Sequence, residues 1–298
     1  MRRIVILDIA RCVAIVMLIM AHTAQVMGSP LGGFFGIKGF YYASIGGIAV
    51  TIFLIISGLA IGLQYGSKET KYYSFIIKRI LRIYPVYYMS VFIGIIVLFF
   101  YPDKFSAVIS DFGVFDIFLC VTGFHSFAGQ WGGPFVATSW FIGLIMTIYL
   151  LYPPLKRSFK NSPHRTIIIL FLISLLSRII MGKYGYSLRR PLDWFPLCRI
   201  FEFGLGIYLA NILGPSKLDI IKPVNYLSPV FRFISDLSFP LFLVHYPLLS
   251  MLESLSASGI NHFLSIIMYL FVSIISSWII LLIDKRIPRS MILKKISP

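Results

Sequence analysis

The sequence predicts an all-α polytopic transmembrane helical bundle with about eight to ten spans. Hydrophobic residues make up 58% of its 298 residues and charged residues only 13%, with a mean hydropathy of +0.88, whereas soluble domains are about 25% charged. Apolar runs long enough to cross a bilayer recur along the chain, and the basic residues concentrate between them. The net charge of +16 therefore indicates membrane topology under the positive-inside rule rather than a nucleic-acid partner.

Apolar runs of about 17 residues or more predict eight spans. They lie near residues 4–27, 45–64, 83–101, 139–155, 166–182, 194–213, 232–251 and 263–284.

A ninth apolar segment, 105–124, contains Asp111 and Asp116. The segments 66–82 and 156–165 are both basic and are predicted to be cytoplasmic, so the chain crosses the membrane an even number of times between them. Two predicted spans already supply these crossings. We therefore expect 105–124 to form a re-entrant or interfacial helix.

The same charge distribution predicts that both termini are cytoplasmic. Arg2 and Arg3 precede the first span, and residues 285–298 form a basic tail. The first apolar run is too long for a cleavable signal, carries charges and lacks a small-x-small cleavage site, so we expect it to stay as an anchor. We expect one integral membrane domain over 1–298, in the plasma or inner membrane and in contact with the lipid bilayer; homo-oligomerisation stays open.

The three cysteines, Cys12, Cys120 and Cys198, all fall in or beside apolar segments. This spacing is neither that of a disulfide framework nor that of a metal site. We predict that the cysteines are small packing residues and that the chain has no metal site.

Polar groups inside the first span are the strongest functional signal. Asp8, Arg11 and His22 stand in an otherwise apolar run, although a charged group at membrane depth costs roughly 2.5–3.5 kcal/mol on insertion scales. At about 100° per residue, His22 lies within roughly 20° of Arg11 on the helix surface and about 16 Å along the axis. His22 is a candidate general base, with a structural hydrogen bond between helices as the alternative. Asp8 is better placed to orient Arg11.

Two further pairs of charged residues stand in or near the spans. Arg79 and Arg82, in KRILRIYPVYY, offer bidentate donors suited to phosphate, although positive-inside topology alone would also place arginines there. Arg199 and Glu202 are predicted to pair on one helix face, either as a structural ion pair or to orient a catalytic group.

Ser57, Trp140 and His245 are weaker candidates. Ser57 stands beside Gly58, and small residues also serve close helix packing. Trp140 is a candidate supporting residue, but an aromatic residue at the membrane interface is an equally good interpretation. Ser238 and His245 are two helical turns apart and share a face. Because the sequence contains no G-x-S-x-G motif, a serine hydrolase is not supported.

Together these segments resemble the acyltransferase-3 family of integral membrane acyltransferases. LDIARCVAIVMLIMAH is similar to the family's opening pattern, FLIISGL to its second-helix SGF element, and RILRIYP to its RxxR segment. SWFIGLIMTIYLLYP, RIFEFGLGIYLA and LSFPLFLVHYPLL are similar to its later WSL, R-x-x-EF and SY-x-LYL-x-H elements. The six elements occur in order from residue 7 to about 249.

The resemblance implies an O-acetyltransferase-type enzyme with acetyl-CoA (acyl-CoA) as cytoplasmic co-substrate and no permanently bound cofactor. The implied acceptor is a hydroxyl of an extracytoplasmic or lipid-linked glycan, as in polysaccharide modification of the cell envelope. The family's motif His corresponds to His22, its motif Arg to Arg11 and its RxxR pair to Arg79 and Arg82. Ile145 stands where the family usually has Glu, so the resemblance implies no acidic role at this position.

A multi-pass transporter or proton-coupled permease is the competing prediction, because ion pathways also use intramembrane Asp, Arg, His and Glu. Transporters often show related halves with interrupted helices, and this sequence shows no such repeat. The identity of the acceptor and of the acyl group stays open. So does the choice between general base catalysis by His22 and its brief acylation.

Overall fold

The computed structural model describes residues 4–27, 42–66, 71–101, 113–128, 133, 135–185, 190–218 and 228–296. Within these ranges all regular structure is helical. The helices, in chain order, are α1 (Val5–Val26), α2 (Tyr42–Tyr65), α3 (Tyr72–Phe99), α4 (Val114–Thr122), α5 (Trp140–Asn161), α6 (Pro163–Tyr184), α7 (Pro191–Trp194), α8 (Pro196–Leu218), α9 (Ser228–Ala257), α10 (His262–Arg286) and α11 (Arg289–Ile296). Two 3₁₀ turns, His125–Ala128 and Ala137–Ser139, precede α5.

Eight of the described helices are long and apolar enough to cross a membrane, which confirms the predicted polytopic all-α bundle. One predicted boundary is wrong: α3 begins at Tyr72, well before the expected start of the third span at Ile83. Phe75, Arg79 and Ile83 are buried at helical spacing, so one face of this basic segment packs against the bundle. Basic side chains at a helix end can still extend their charged heads to water, and their presence therefore does not mark the end of the helix.

In the ninth apolar segment, the described residues 113–124 include the nine-residue helix α4. A helix of this length is about 14 Å long, roughly half the thickness of the hydrocarbon core. That the whole segment 105–124 does not span the membrane stays a prediction, as does its location at the interface. Residues 105–112 lie outside the described ranges.

The bundle is built around α2, α5 and α9. α2 packs between α1 and α8, while α9 contacts α1, α3 and α10. In the apolar windows of α5 and α9, 67% of the residues are buried, against 22% in α6. This contrast is expected if α6 faces lipid and α5 and α9 form the interior, where polar side chains can be held by protein partners.

Gly58 provides a stability test of this packing. A Cβ built on Gly58 would clash with the backbone carbonyl oxygen of Phe203 on α8, whereas one on Gly47 of the same helix meets nothing within 4 Å. Backbone cannot yield as a side chain can, so we expect Gly58→Ala to destabilise the bundle by about 3 kcal/mol or more. Thermal unfolding in detergent measures this, with Gly47→Ala as the matched control. Equal melting temperatures for the two variants would contradict the close approach of α2 and α8.

Candidate active site

A cavity of about 600 Å³ lies between the spans. Its wall is formed by residues of α1, α2, α3, α5 and α9, and residues at the end of α10 and in α11 complete it. Four of the predicted site residues lie in the lining, Arg11, Ser57, Arg79 and Arg82, and so does Ser238. The fold therefore brings together candidates from four separate helices.

One end of the cavity is strongly basic. Its basic side chains differ in exposure: Arg79 is 6% exposed and the Arg11 side chain 24%, whereas Arg82 and Lys285 are exposed. Guanidinium and ammonium groups arranged around a concave surface bind phosphate groups well. Six basic and two acidic side chains line the cavity: Arg11, Lys78, Arg79, Arg82, Lys285 and Arg289, against Asp236 and Asp284.

Arg79 is the most enclosed of these cations. Its Nη2 donates a hydrogen bond to the Tyr65 hydroxyl at 3.0 Å, and its guanidinium carbon lies 5.3 to 5.8 Å from the ring centroids of Tyr65, Phe75 and Tyr149. Tyr149 in turn shares a hydrogen bond of 2.7 Å with the Ser57 hydroxyl. Cation–π contacts and one hydrogen bond thus hold the Arg79 guanidinium at the cavity without a carboxylate partner among the described residues.

Arg11 is oriented by a network that joins α1 to α9. The Ser235 hydroxyl donates to Asp8 Oδ1 at 2.7 Å, and Arg11 Nη1 lies 3.4 Å from both Asp8 Oδ1 and Ser235 Oγ. Asp8 is fully buried, so the pairing compensates a charge that would otherwise be costly. The structure confirms that Asp8 and Arg11 pair one turn apart.

Arg289 connects α11 to the cavity wall. Its Nε donates to the backbone carbonyl of Leu81 at 2.9 Å, and its Nη2 bonds Asp284. The helical partner of the Leu81 carbonyl would be the N–H of residue 85, which is proline and has none. Arg289 therefore satisfies a carbonyl that Pro85 leaves without its intrahelical bond.

The other end of the cavity is aromatic. Phe53 and Phe141 both contact Phe242, with ring centroids 5.9 and 4.9 Å apart, and all three line the cavity. Phe53 precedes Tyr65 on α2 by about 18 Å of helix, so this phenylalanine cluster is far from the Arg79 end.

His22 lies beyond this cluster and outside the cavity lining. Its ring is 5.2 Å from those of His245 and Tyr246, and the His245 ring is 6.3 Å from that of Phe242. His22 Nδ1 lies 3.3 Å from Gln25 Oε1. Because a carboxamide oxygen only accepts, this bond places the proton on Nδ1 and leaves the lone pair on Nε2.

His245 is completely buried. Its Nδ1 donates to the Leu241 carbonyl at 3.0 Å, and its Nε2 has no hydrogen-bond partner in the part of the chain that the structure describes. His245 therefore separates the phenylalanine cluster from His22 and presents a second imidazole lone pair at that point.

Arg199, Glu202 and Trp140 lie outside the lining of the cavity. The predicted pair is confirmed, with Arg199 Nη1 3.3 Å from Glu202 Oε1. The same carboxylate oxygen also accepts from Arg178 at 2.9 Å, and Arg199 donates to Thr51 at 3.0 Å. Trp140 is buried beside Phe141, with ring centroids 6.0 Å apart.

The cysteines are buried and free of disulfides, as predicted. Burial raises the pKa of the Cys120 thiol above its ordinary value, which keeps it protonated and weakly nucleophilic. Across the described ranges, no group of three or more His, Cys, Asp or Glu side chains could hold a metal ion.

Sequence reasoning missed one residue of the site and one buried histidine outside the cavity lining. The site residue is Ser235, although Ser235, Ser238, Phe242 and His245 recur at spacings of three and four residues on α9, a pattern that indicates one helix face. His125 was assigned no role, yet it is fully buried, with Nε2 3.6 Å from Asp116 Oδ1. No local pattern marks that pair, because it depends on the turn after α4.

The fold and the cavity define a polytopic membrane protein with an internal site that is basic at one end and aromatic at the other. The chain belongs to the acyltransferase-3 family: the family model described as "Acyltransferase domain" matches residues 4–219. This confirms the resemblance drawn from the sequence and identifies a membrane acyltransferase. Comparisons with curated proteins and with solved structures found no match.

The matched residues end after the sixth span. Arg11, His22, Arg79 and Arg82 lie within them, whereas Ser235, His245 and Arg289 lie beyond. α9 and the helices after it nevertheless complete the cavity.

Proposed function

We propose that this membrane acyltransferase moves an acyl group from cytoplasmic acyl-CoA to a hydroxyl of an extracytoplasmic or lipid-linked glycan. The observation that carries the proposal is the basic end of the cavity, where Arg11, Arg79 and Arg82 converge. The positive-inside rule predicts that this end faces the cytoplasm, where acyl-CoA is available. The plasma or inner membrane is the proposed location.

The charge of the cavity suits an acyl-CoA donor. A pyrophosphate and a phosphomonoester together carry about four negative charges at neutral pH, and six basic against two acidic side chains line the cavity. Phosphates bound at this end leave the pantetheine arm to extend toward the phenylalanine cluster. Arg11 and His22 are about 16 Å apart along α1, a distance on the scale of such an arm.

The proposed chemistry takes place at His22 once the thioester has passed the phenylalanine cluster. Nε2 of His22 accepts the proton of the acceptor hydroxyl while the hydroxyl oxygen attacks the thioester carbonyl carbon. The carbon–sulfur bond then breaks, and the protonated imidazole returns its proton to the departing thiolate. In a route through a transient acyl-His22, Nε2 first attacks the thioester carbonyl carbon, and the carbon–sulfur bond breaks to release the thiolate. The acceptor hydroxyl oxygen then attacks the acyl carbon, the bond to Nε2 breaks, and the hydroxyl proton passes by way of the freed imidazole to the thiolate.

The remaining candidates support this site. Asp8 and Ser235 orient Arg11, and Ser57 orients Tyr149 beneath Arg79. His245 positions His22 by ring contact. We assign the Arg199–Glu202 pair and Trp140 to the structure of the surrounding helices, because neither contacts the cavity.

Arg82→Ala tests the donor site. Loss of a charge-assisted hydrogen bond at an exposed cation should raise the apparent KM for acetyl-CoA roughly tenfold or more and leave kcat little changed. Arg165→Ala is the matched control, since Arg165 is an exposed arginine on α6 that does not line the cavity.

Steady-state transfer at varied acetyl-CoA concentration gives both constants. An unchanged KM in Arg82→Ala, or an equal rise in Arg165→Ala, would count against donor binding at this end. Absence of saturable acetyl-CoA binding by the wild type would instead favour the competing function, transport.

A further inference from the structure

The helix α11 forms part of the basic end of the cavity, although it lies beyond the residues that the family model matches. Pro288 ends α10, because the residue before a proline is disfavoured in the helical conformation, and Ile287 has an extended backbone. α11 then begins at Arg289 and packs against α3. Arg289 and Leu293 are one helical turn apart and both line the cavity, so one face of α11 forms this part of the wall.

The Arg289 side chain joins α11 to two other helices. Its Nε donates to the Leu81 carbonyl of α3, and its Nη2 bonds the Asp284 carboxylate at the end of α10. Asp284 also compensates the charge of Arg289, which suits this arginine to holding a helix in place more than to binding an anion. Leu81 is followed by Arg82, an exposed cation in the cavity lining. The contact therefore holds α11 beside the segment of α3 that carries the proposed donor-binding arginines.

We propose that Arg289 is a positioning residue for the donor: its bond to the Leu81 carbonyl holds α11 against α3 and thereby completes the site for the phosphates of acyl-CoA. Pro85 leaves that carbonyl available, because a proline has no N–H to occupy it. With α11 in place, Lys285 at the end of α10 and Arg82 on α3 line the same cavity. This inference rests on the proposed function.

Two double variants isolate the hydrogen bond. The amide nitrogen of glutamine stands at the same position along the side chain as Nε of arginine, whereas methionine places a methyl group there and has no donor. Asp284→Asn removes the carboxylate that either substitution would leave without its cation. The variants Asp284→Asn/Arg289→Gln and Asp284→Asn/Arg289→Met therefore carry the same charge and differ in the donor to the Leu81 carbonyl. We expect the methionine variant to have an apparent KM for acetyl-CoA about three- to tenfold higher than the glutamine variant, the range that one hydrogen bond provides, with kcat little changed.

Pro85→Ala tests the part assigned to the proline. Alanine supplies the N–H that can occupy the Leu81 carbonyl within α3, so the ratio of the two KM values should fall toward one in this background. A ratio that stays as large would contradict the role of Pro85. Arg286→Ala is the control for loss of a nearby charge, since Arg286 is an exposed residue of α10 that does not line the cavity, and its KM should be close to that of the wild type.

The position of α11 is also measurable without a donor. Leu293→Cys places a partly buried thiol on the face of α11 that lines the cavity, whereas Cys12, Cys120 and Cys198 are buried. A water-soluble maleimide should modify this thiol faster in the methionine double variant than in the glutamine double variant. Faster labelling together with the higher KM supports the proposal, and equal KM values or equal labelling rates overturn it. If the labelling rates differ but the wild type shows no saturable use of acetyl-CoA, the proposed function fails and the positioning role falls with it, while the contact itself stands.

Discussion

His22→Ala is expected to abolish acyl transfer, with a loss of at least about 100-fold, while the protein still inserts and accumulates. A positioned general base contributes about 10²- to 10⁴-fold to a reaction rate, and an acylated His22 would be still less dispensable. The variant should fold, because His22 is only partly buried and its Nδ1 hydrogen bond is made to Gln25, one turn away on the same helix.

Transfer rates in membranes with matched amounts of protein measure the effect. His262→Ala is the control, since His262 is an exposed histidine at the start of α10, away from the cavity. Near-normal transfer by His22→Ala would remove His22 from the chemistry and leave His245 as the histidine nearer to the cavity.

Arg79→Ala is expected to raise the apparent KM for acetyl-CoA by about 100-fold. Truncation of a buried, hydrogen-bonded charge at a binding site typically costs about 2–5 kcal/mol, and Arg79 is the most enclosed cation in the cavity. Arg79→Lys should give an intermediate KM, because an ammonium keeps the charge but loses the bidentate fork.

Tyr65→Phe separates donor binding from packing around Arg79. It removes the hydroxyl that accepts from Arg79 but leaves the guanidinium and the aromatic ring, so we expect only a small rise in KM. If Tyr65→Phe and Arg79→Ala instead lower protein accumulation equally and leave KM unchanged, Arg79 has a structural role alone.

The sequence predicted the features that depend on composition and helical periodicity. Long apolar runs identified the eight spans, and a period of about 3.6 residues placed Asp8 beside Arg11 and Arg199 beside Glu202, as the structure confirms. The convergence of Arg11 on the Arg79–Arg82 segment was also foreseeable, because all three were expected at the same side of the membrane.

Other features depend on tertiary packing and carry no local signal. The predicted start of the third span was wrong, because the basic residues before Ile83 were interpreted as a loop. A helix end tolerates such residues, and α3 begins at Tyr72. Arg178 pairs with Glu202 from another helix, and Arg289 reaches the Leu81 carbonyl across the bundle. The contact between His22 and His245 likewise required the packing of α1 against α9.

The most direct test of the account is the fate of the acyl group itself. Purified protein in liposomes should be given acetyl-CoA labelled in the acetyl carbons, together with a glycan or lipid-linked sugar fraction from the source membranes. We predict that the wild type moves the label into an alkali-labile ester of the acceptor or holds it on the protein, and that His22→Ala does neither. Intact labelled acetyl-CoA after incubation with folded wild-type protein and that fraction would contradict the account.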